Sequence, residues 1–130
     1  MTVTPNDGTG DGPTGTAEVT IQNTAPALTG PTLSASTASV GDTLTCAASA
    51  TDVDPSDTVS LTFAWHDGST GSTYLVTDTD NPGDSLSCTA TADDSDGGVS
   101  VSTAVATVQN TAPVLTGVSV TPASPVVGVL

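Results

Sequence analysis

Val59-Ser60-Leu61-Thr62-Phe63-Ala64-Trp65-His66 alternates apolar residues with mostly polar ones. A period of two places Val59, Leu61, Phe63 and Trp65 on one face of an extended strand. Asp67-Gly68 follows at once, and glycine tolerates the positive φ that a hairpin-type turn demands. The same punctuation recurs in both directions. Upstream, Thr43–Thr51 (TLTCAASAT) sets Leu44, Cys46 and Ala48 on one face, and residues 31–40 read as a first strand or two short ones. Downstream, Ser72–Val76 carries Tyr74, and Ser85–Ala92 aligns Leu86, Cys88 and Ala90. Asp96-Gly97-Gly98 turns the chain into a last strand, Val99–Val108. No segment has a 3.6-residue period. Short strands at this spacing predict an all-β sandwich of about seven strands. Trp65, Phe63, Leu61 and Leu86 are its candidate core.

Composition removes several function classes. The chain has no Lys or Arg, 14 acidic residues and a net charge of −14. Nucleic-acid binding needs cations against phosphate, and an anionic membrane surface would repel this chain. A Schiff-base lysine and a P-loop lysine are ruled out. No 18-residue apolar run is present, so no membrane insertion is expected, and Met1-Thr2-Val3-Thr4-Pro5 has no signal-peptide pattern. The counter-partners expected are cations or positively charged surfaces. Thr and Ser make up about a third of the chain, with Phe63, Trp65 and Tyr74 the three aromatics.

Cys46 and Cys88 fall on inward positions of two predicted strands, with Trp65 on a strand between them. Their spacing is not that of a metal site, which favours a disulfide and an oxidising, extracellular compartment. The alternative is two reduced cysteines serving as small apolar residues.

The segment Gln22-Asn23-Thr24-Ala25-Pro26 returns as Gln109-Asn110-Thr111-Ala112-Pro113, 87 residues later. Residues 1–43 laid over 88–130 without a gap are identical at 17 of 43 positions. A fixed period marks a tandem repeat. Residues 24–110 are then one complete repeat, residues 1–23 the final strands of a preceding one, and residues 111–130 the first strand or strands of a following one. Asn23-Thr24-Ala25-Pro26 and Asn110-Thr111-Ala112-Pro113 are the inter-repeat linkers. Proline biases the residue before it to extended geometry, which makes each linker a semi-rigid hinge.

Cys46, Trp65 and Cys88 in this order resemble the immunoglobulin fold. Gly41-Asp42-Thr43-Leu44-Thr45-Cys46, Trp65-His66-Asp67-Gly68-Ser69 and Val3-Thr4-Pro5-Asn6-Asp7-Gly8-Thr9 resemble the Ig-like and PKD-like repeats of large bacterial surface proteins. The resemblance implies seven strands in two sheets, with Cys46 on strand B, Trp65 on C and Cys88 on F. It labels residues 1–23 as strands F and G, with Met1 in the place of the second cysteine. Leu86 departs from it, standing where a tyrosine corner would have Tyr.

In such a sandwich Asp52, Asp54 and Asp57 lie in the B–C loop and Asp93, Asp94 and Asp96 in the F–G loop, sharing the end where the previous repeat enters. Asp78, Asp80 and Asp84 lie in the E–F loop at the opposite end. Clustered hard oxygen donors suit Ca²⁺, which takes six to eight of them. Junctional Ca²⁺ is therefore one expectation, and solvated turn aspartates are the other. His66 beside Asp67 and Ser69 invites comparison with a catalytic triad, but neighbours on a strand point to opposite faces. No enzyme is expected.

The leading expectation is a structural segment of a secreted stalk, adhesin extender or extracellular fibre. Its partners are neighbouring repeats of the same chain or like chains. One alternative is a self-assembling filament subunit joined by strand addition between chains. Another is a carbohydrate- or protein-binding module, for which Tyr74 is the sole candidate contact aromatic.

Overall fold

The computed structural model describes residues 1–119, 121 and 128. Among them the chain is all-β, with nine strands and no helix: β1 Thr2–Val3, β2 Gly15–Thr16, β3 Ala27–Leu33, β4 Thr37–Ala38, β5 Thr43–Thr51, β6 Ser60–Trp65, β7 Thr73–Leu75, β8 Ser85–Asp93 and β9 Val99–Val108. They form a two-stranded sheet β1-β2, a three-stranded sheet β3-β5-β7 and a four-stranded sheet β4-β9-β8-β6. All pairings are antiparallel except β4 with β9.

The last two sheets enclose one core. Leu44 and Cys46 of β5 and Tyr74 of β7 meet Trp65 of β6, Leu86 and Cys88 of β8, and Ala106 and Val108 of β9. Alternation produces this directly: on β8 Leu86, Cys88, Ala90 and Ala92 are all buried while the intervening residues face outward. A Cys46–Cys88 disulfide bolts β5 to β8 across the two layers, with Cα atoms 6.5 Å apart. Closing a loop with a sequence separation of 42 contributes about 4 kcal/mol in the chain-entropy description. Trp65 stacks on Tyr74 at 5.2 Å and donates its indole N–H to the Gly71 carbonyl at 2.9 Å.

Two expectations shift. Leu61 and Phe63 point inward but are only half-buried, unlike Trp65 and Leu86. β6 is an edge strand, and the facing edge strand β7 pairs only with Thr43–Thr45 at one end of β5. Tyr74 therefore covers Trp65 and leaves the other half of β6 without a strand opposite. The first strand begins at Ala27 rather than residue 31. Gly30-Pro31 reads as a boundary in sequence, but here it makes an irregularity inside β3, where the register against β5 shifts between Thr29 and Thr32. Gly30 has φ +94°, and a side chain there would press on the Ala47 carbonyl oxygen at 3.1 Å and the Ala48 Cα at 3.3 Å.

The short sheet at the start reproduces part of the main one. Its register is Thr2↔Thr16 and Val3↔Gly15. Displaced by the 87-residue period, these pairs become Thr89↔Thr103 and Ala90↔Ser102, both of which are pairs of β8 with β9. Residues 111–119 carry no strand, and the rest of the following strand expected over 111–130 falls largely outside the described residues.

Candidate functional site

The acidic loops gather where the linker enters. Asp52, Asp54 and Asp57, between β5 and β6, each place a carboxylate oxygen within 4.8 Å of the others. The Asp54 amide donates to Asp52 Oδ1 at 2.9 Å, which curls the loop and brings the carboxylates together. The other oxygen, Asp52 Oδ2, is buried with no hydrogen-bond partner. Burial pushes the Asp57 carboxyl above its ordinary range, and the charges of Asp96, Asp54, Asp52 and Asp94 add to the effect. The loop between β8 and β9 therefore lies beside the loop between β5 and β6, as expected, with like charges crowded together.

Within the second loop the three aspartates have different tasks. Asp93 Oδ1 accepts the Ser95 amide at 2.7 Å, and Asp96 is exposed. Asp94 is 2% exposed. Its Oδ1 accepts the amides of Asp96 at 2.8 Å and Gly98 at 2.9 Å, and its Oδ2 accepts the Asn23 side-chain amide at 2.8 Å. The Asn23 hydrogen bond, followed by those amides, holds the Asp94 carboxyl below its ordinary range.

Asn23 belongs to the linker, and two further bonds fasten the same peptide. The Thr24 amide donates to Asp54 Oδ2 at 2.9 Å, and the Ser100 hydroxyl donates to the Pro26 carbonyl at 2.6 Å. Pro26 is fully buried. Gly98 makes room for the crossing: a Cβ there would collide with the Asp94 carboxylate and stand 2.7 Å from Ala25 Cα. The acidic end is thus a socket, and Asn23–Pro26 is the plug. The counterpart segment Asn110-Thr111-Ala112-Pro113 is exposed throughout.

The opposite end is built differently. Asp78 is exposed, and Asp84 accepts the exposed Asn81 amide at 2.8 Å. Asp80 is 6% exposed and committed to its own domain. Its Oδ2 accepts the Thr77 amide at 2.8 Å and the Tyr74 hydroxyl at 3.0 Å, while Oδ1 lies 3.2 Å from His66 Nε2. Burial pushes the Asp80 carboxyl up, but hydrogen bonds from Thr77, Tyr74 and His66 outweigh it and leave the carboxyl below its ordinary range. Burial, with the hydrogen bond to Asp80, pushes the Tyr74 hydroxyl up to about 12. Asp78, Asp80 and Asp84 are not drawn into a cation cluster among the described residues. Nor does His66 form a site with its neighbours: Asp67 accepts from Ser69, at 2.9 Å from its amide and 2.6 Å from its hydroxyl, whereas His66 turns toward Asp80 and packs edge-on against Tyr74.

No family model, curated protein or solved structure matches this chain. The disulfide fits an oxidising, non-cytoplasmic compartment. Among the described residues, no helix is long and apolar enough to cross a membrane.

Proposed function

We propose that this chain is a segment of a secreted tandem-repeat spacer: a stalk, adhesin extender or extracellular fibre. The observation that carries the reading is the shared register of β1-β2 and β8-β9 at the 87-residue period. A duplicated sequence that also pairs its strands in the same way is the mark of a repeated structural unit. Each unit is an immunoglobulin-like sandwich, a reading supported by the three- and four-stranded layers, the disulfide between them and Trp65 beside it. The linker is fastened to the unit it enters by the hydrogen bonds of Asn23, Thr24 and Pro26, with Pro26 buried, which restricts bending between units and suits a rod.

The socket also has the chemistry of a Ca²⁺ site. Asp52, Asp54 and Asp57 would supply hard oxygen ligands, and the buried Asp52 Oδ2 is a hydrogen-bond acceptor without a donor, its lone pairs free to ligate a cation. A bound divalent cation would cancel the repulsion that raises Asp57 and would stiffen the loop that grips Thr24.

Small-angle scattering of chains carrying one, two and three copies of residues 24–110 tests the spacer. The maximum dimension should grow by one domain length per copy. Compact particles that do not lengthen would sink the reading. Titration of the 130-residue chain with Ca²⁺, followed by thermal unfolding in Ca²⁺ and in EDTA, tests the cation, and identical curves would remove it.

A further inference from the structure

β5 is paired along the whole of one side and along only part of the other. Its odd-numbered residues bond toward β3: the Thr45 carbonyl accepts the Ser34 amide at 2.9 Å, and Ala47, Ser49 and Thr51 stand opposite Thr32, Thr29 and Ala27. Its even-numbered residues bond the other way. There β7 pairs over Thr43–Thr45, and Ser72 accepts the Cys46 amide at 2.8 Å. One residue earlier the chain lies in the other layer, where Gly71 donates to the Phe63 carbonyl at 3.1 Å. By alternation, Ala48 and Ala50 point their amides and carbonyls out past the last strand of the sheet. We propose that the edge Ala47–Thr51 takes an extended peptide segment of a partner protein, added antiparallel as a further strand, with two apolar side chains facing inward and a basic residue at its N-terminal end.

The floor of this position is apolar and open. β7 faces β6, so a strand continuing the line of β7 along β5 lies over the uncovered half of β6. Leu61 and Phe63 of that half point inward and are only half-buried. The Cys46–Cys88 bond fixes the level of the two layers, and Phe63 and Leu61 pair with Ala90 and Ala92, two and four residues beyond Cys88. Ala48 and Ala50, two and four residues beyond Cys46, therefore stand level with Phe63 and Leu61. Directly opposite residues of paired strands share a face. The incoming residues opposite Ala48 and Ala50 thus project onto Phe63 and Leu61. Ala48 and Ala50 are short and themselves half-buried, so branched side chains at i and i+2 of the peptide complete the layer. Sheet edges are usually blunted by charge or proline, and Ala47-Ala48-Ser49-Ala50-Thr51 has neither.

Charge selects the class of partner and its direction. Both neighbours of β5 are antiparallel to it, and an antiparallel peptide brings its N-terminal end to Thr51. Asp52 follows at once. Asp52, Asp54 and Asp57 hold carboxylate oxygens within 4.8 Å of one another in the loop that crosses from β5 to β6. The chain has no Lys or Arg to offset them. An arginine of the peptide does so, since its fork of donors matches carboxylates. Main-chain hydrogen bonds supply affinity, and the inward side chains and the arginine supply selectivity.

The probe is the capped peptide Arg-Thr-Val-Thr-Val-Thr. Its valines then stand opposite Ala50 and Ala48 and its arginine opposite Asp52. It is titrated into the 130-residue chain in EDTA, so that no divalent cation competes for the carboxylates, and binding is read by NMR. Amide shifts should centre on Ala48 and Ala50. The valine methyls should contact the ring of Phe63, the one phenylalanine of the chain. Glutamate in place of the arginine should weaken binding about fivefold or more. Serine in place of both valines should abolish saturation.

Ala50→Pro tests the edge itself. Proline removes the outward amide and leaves the ladder to β3, whose bonds belong to the odd-numbered residues, so A50P should fold and no longer respond to the peptide. The peptide controls use the parent chain and decide the matter even if A50P does not fold. Absence of binding, equal binding of the glutamate peptide, or shifts centred elsewhere overturns the proposal. So does self-association of the parent chain that A50P abolishes, which would assign the edge to a second copy. The inference uses neither the repeat nor the spacer, so either can fail without the other.

Discussion

The first hairpin and the β8-β9 hairpin share a register 87 residues apart in two different surroundings. Both register alike, and in both an aspartate at the same repeat position shapes the loop. Asp7 Oδ1 accepts the amides of Thr9 at 2.9 Å and Gly10 at 3.2 Å, as Asp94 Oδ1 accepts those of Asp96 and Gly98. Hydrogen bonds hold both carboxyls below their ordinary range, led by the Thr9 hydroxyl for Asp7 and by Asn23 for Asp94. Yet β1 and β2 are exposed along their whole length, while β8 buries alternate residues. Among the substitutions that separate them, Met1 stands in the place of Cys88, Asp11 in that of Gly98, and Pro5 in that of Ala92. Loop chemistry is thus local and survives without a core, whereas strand length and stability come from the facing layer, the disulfide and the plug. A two-stranded ribbon alone is marginal in water.

The largest effect follows from the disulfide. Replacing Cys46 and Cys88 together by Ser should lower the stability of the sandwich by about 4 kcal/mol, measured by urea unfolding. Hydrogen exchange sharpens the comparison: β8-β9 amides should lose protection, while β1-β2 amides exchange fast in both forms. Strong protection of Thr2–Thr16 in the parent chain would break it.

Asp80→Ala comes next. It strands the Tyr74 hydroxyl and the Thr77 amide inside the fold and should cost about 2–3 kcal/mol. The folded carboxyl is depressed, so its contribution is fully present above the ordinary carboxylate pKa and is lost as pH falls through the folded value. Parent and D80A unfolding midpoints should therefore converge in acid, and a gap unchanged at low pH would contradict the assignment.

Gly98→Asp installs in β8-β9 the residue that the first hairpin carries at position 11. With Ala25 Cα 2.7 Å from the new Cβ, the plug must shift, at about 1–3 kcal/mol. Proteolysis at the linker should rise in parallel. An unperturbed G98D chain would mean that the plug is dispensable.

Strand positions were largely legible because they depend on a period of two, and β5 and β9 fall where alternation puts them. Asp52, Asp54 and Asp57 were legible as a cluster because spacings of two and three residues in a short loop leave little room to separate. The Tyr74–Asp80–His66 network was not, since it joins a strand, a turn and a strand end that only the tertiary fold brings together. Nor was Asp94 as a socket: in sequence it is one of three aspartates, and nothing local distinguishes the buried one. The repeated Asn-Thr-Ala-Pro was the available signal, because a linker needing only flexibility has no reason to keep its side chains.

Asn23→Ala makes the smallest change and isolates that point. It removes the leading hydrogen bond to Asp94 and leaves Asp7 untouched. The Asp94 carboxyl should titrate closer to its ordinary value, read by carboxyl NMR, with Asp7 as the unmoved internal control. Because the parent carboxyl is depressed by this bond, the bond stabilises the fold above the ordinary carboxylate pKa and is lost as Asp94 protonates. The stability gap between parent and N23A should therefore be widest near neutral pH and close in acid. If Asp94 keeps its depressed titration in N23A, the loop amides alone suffice, and the two hairpins differ less than their surroundings imply.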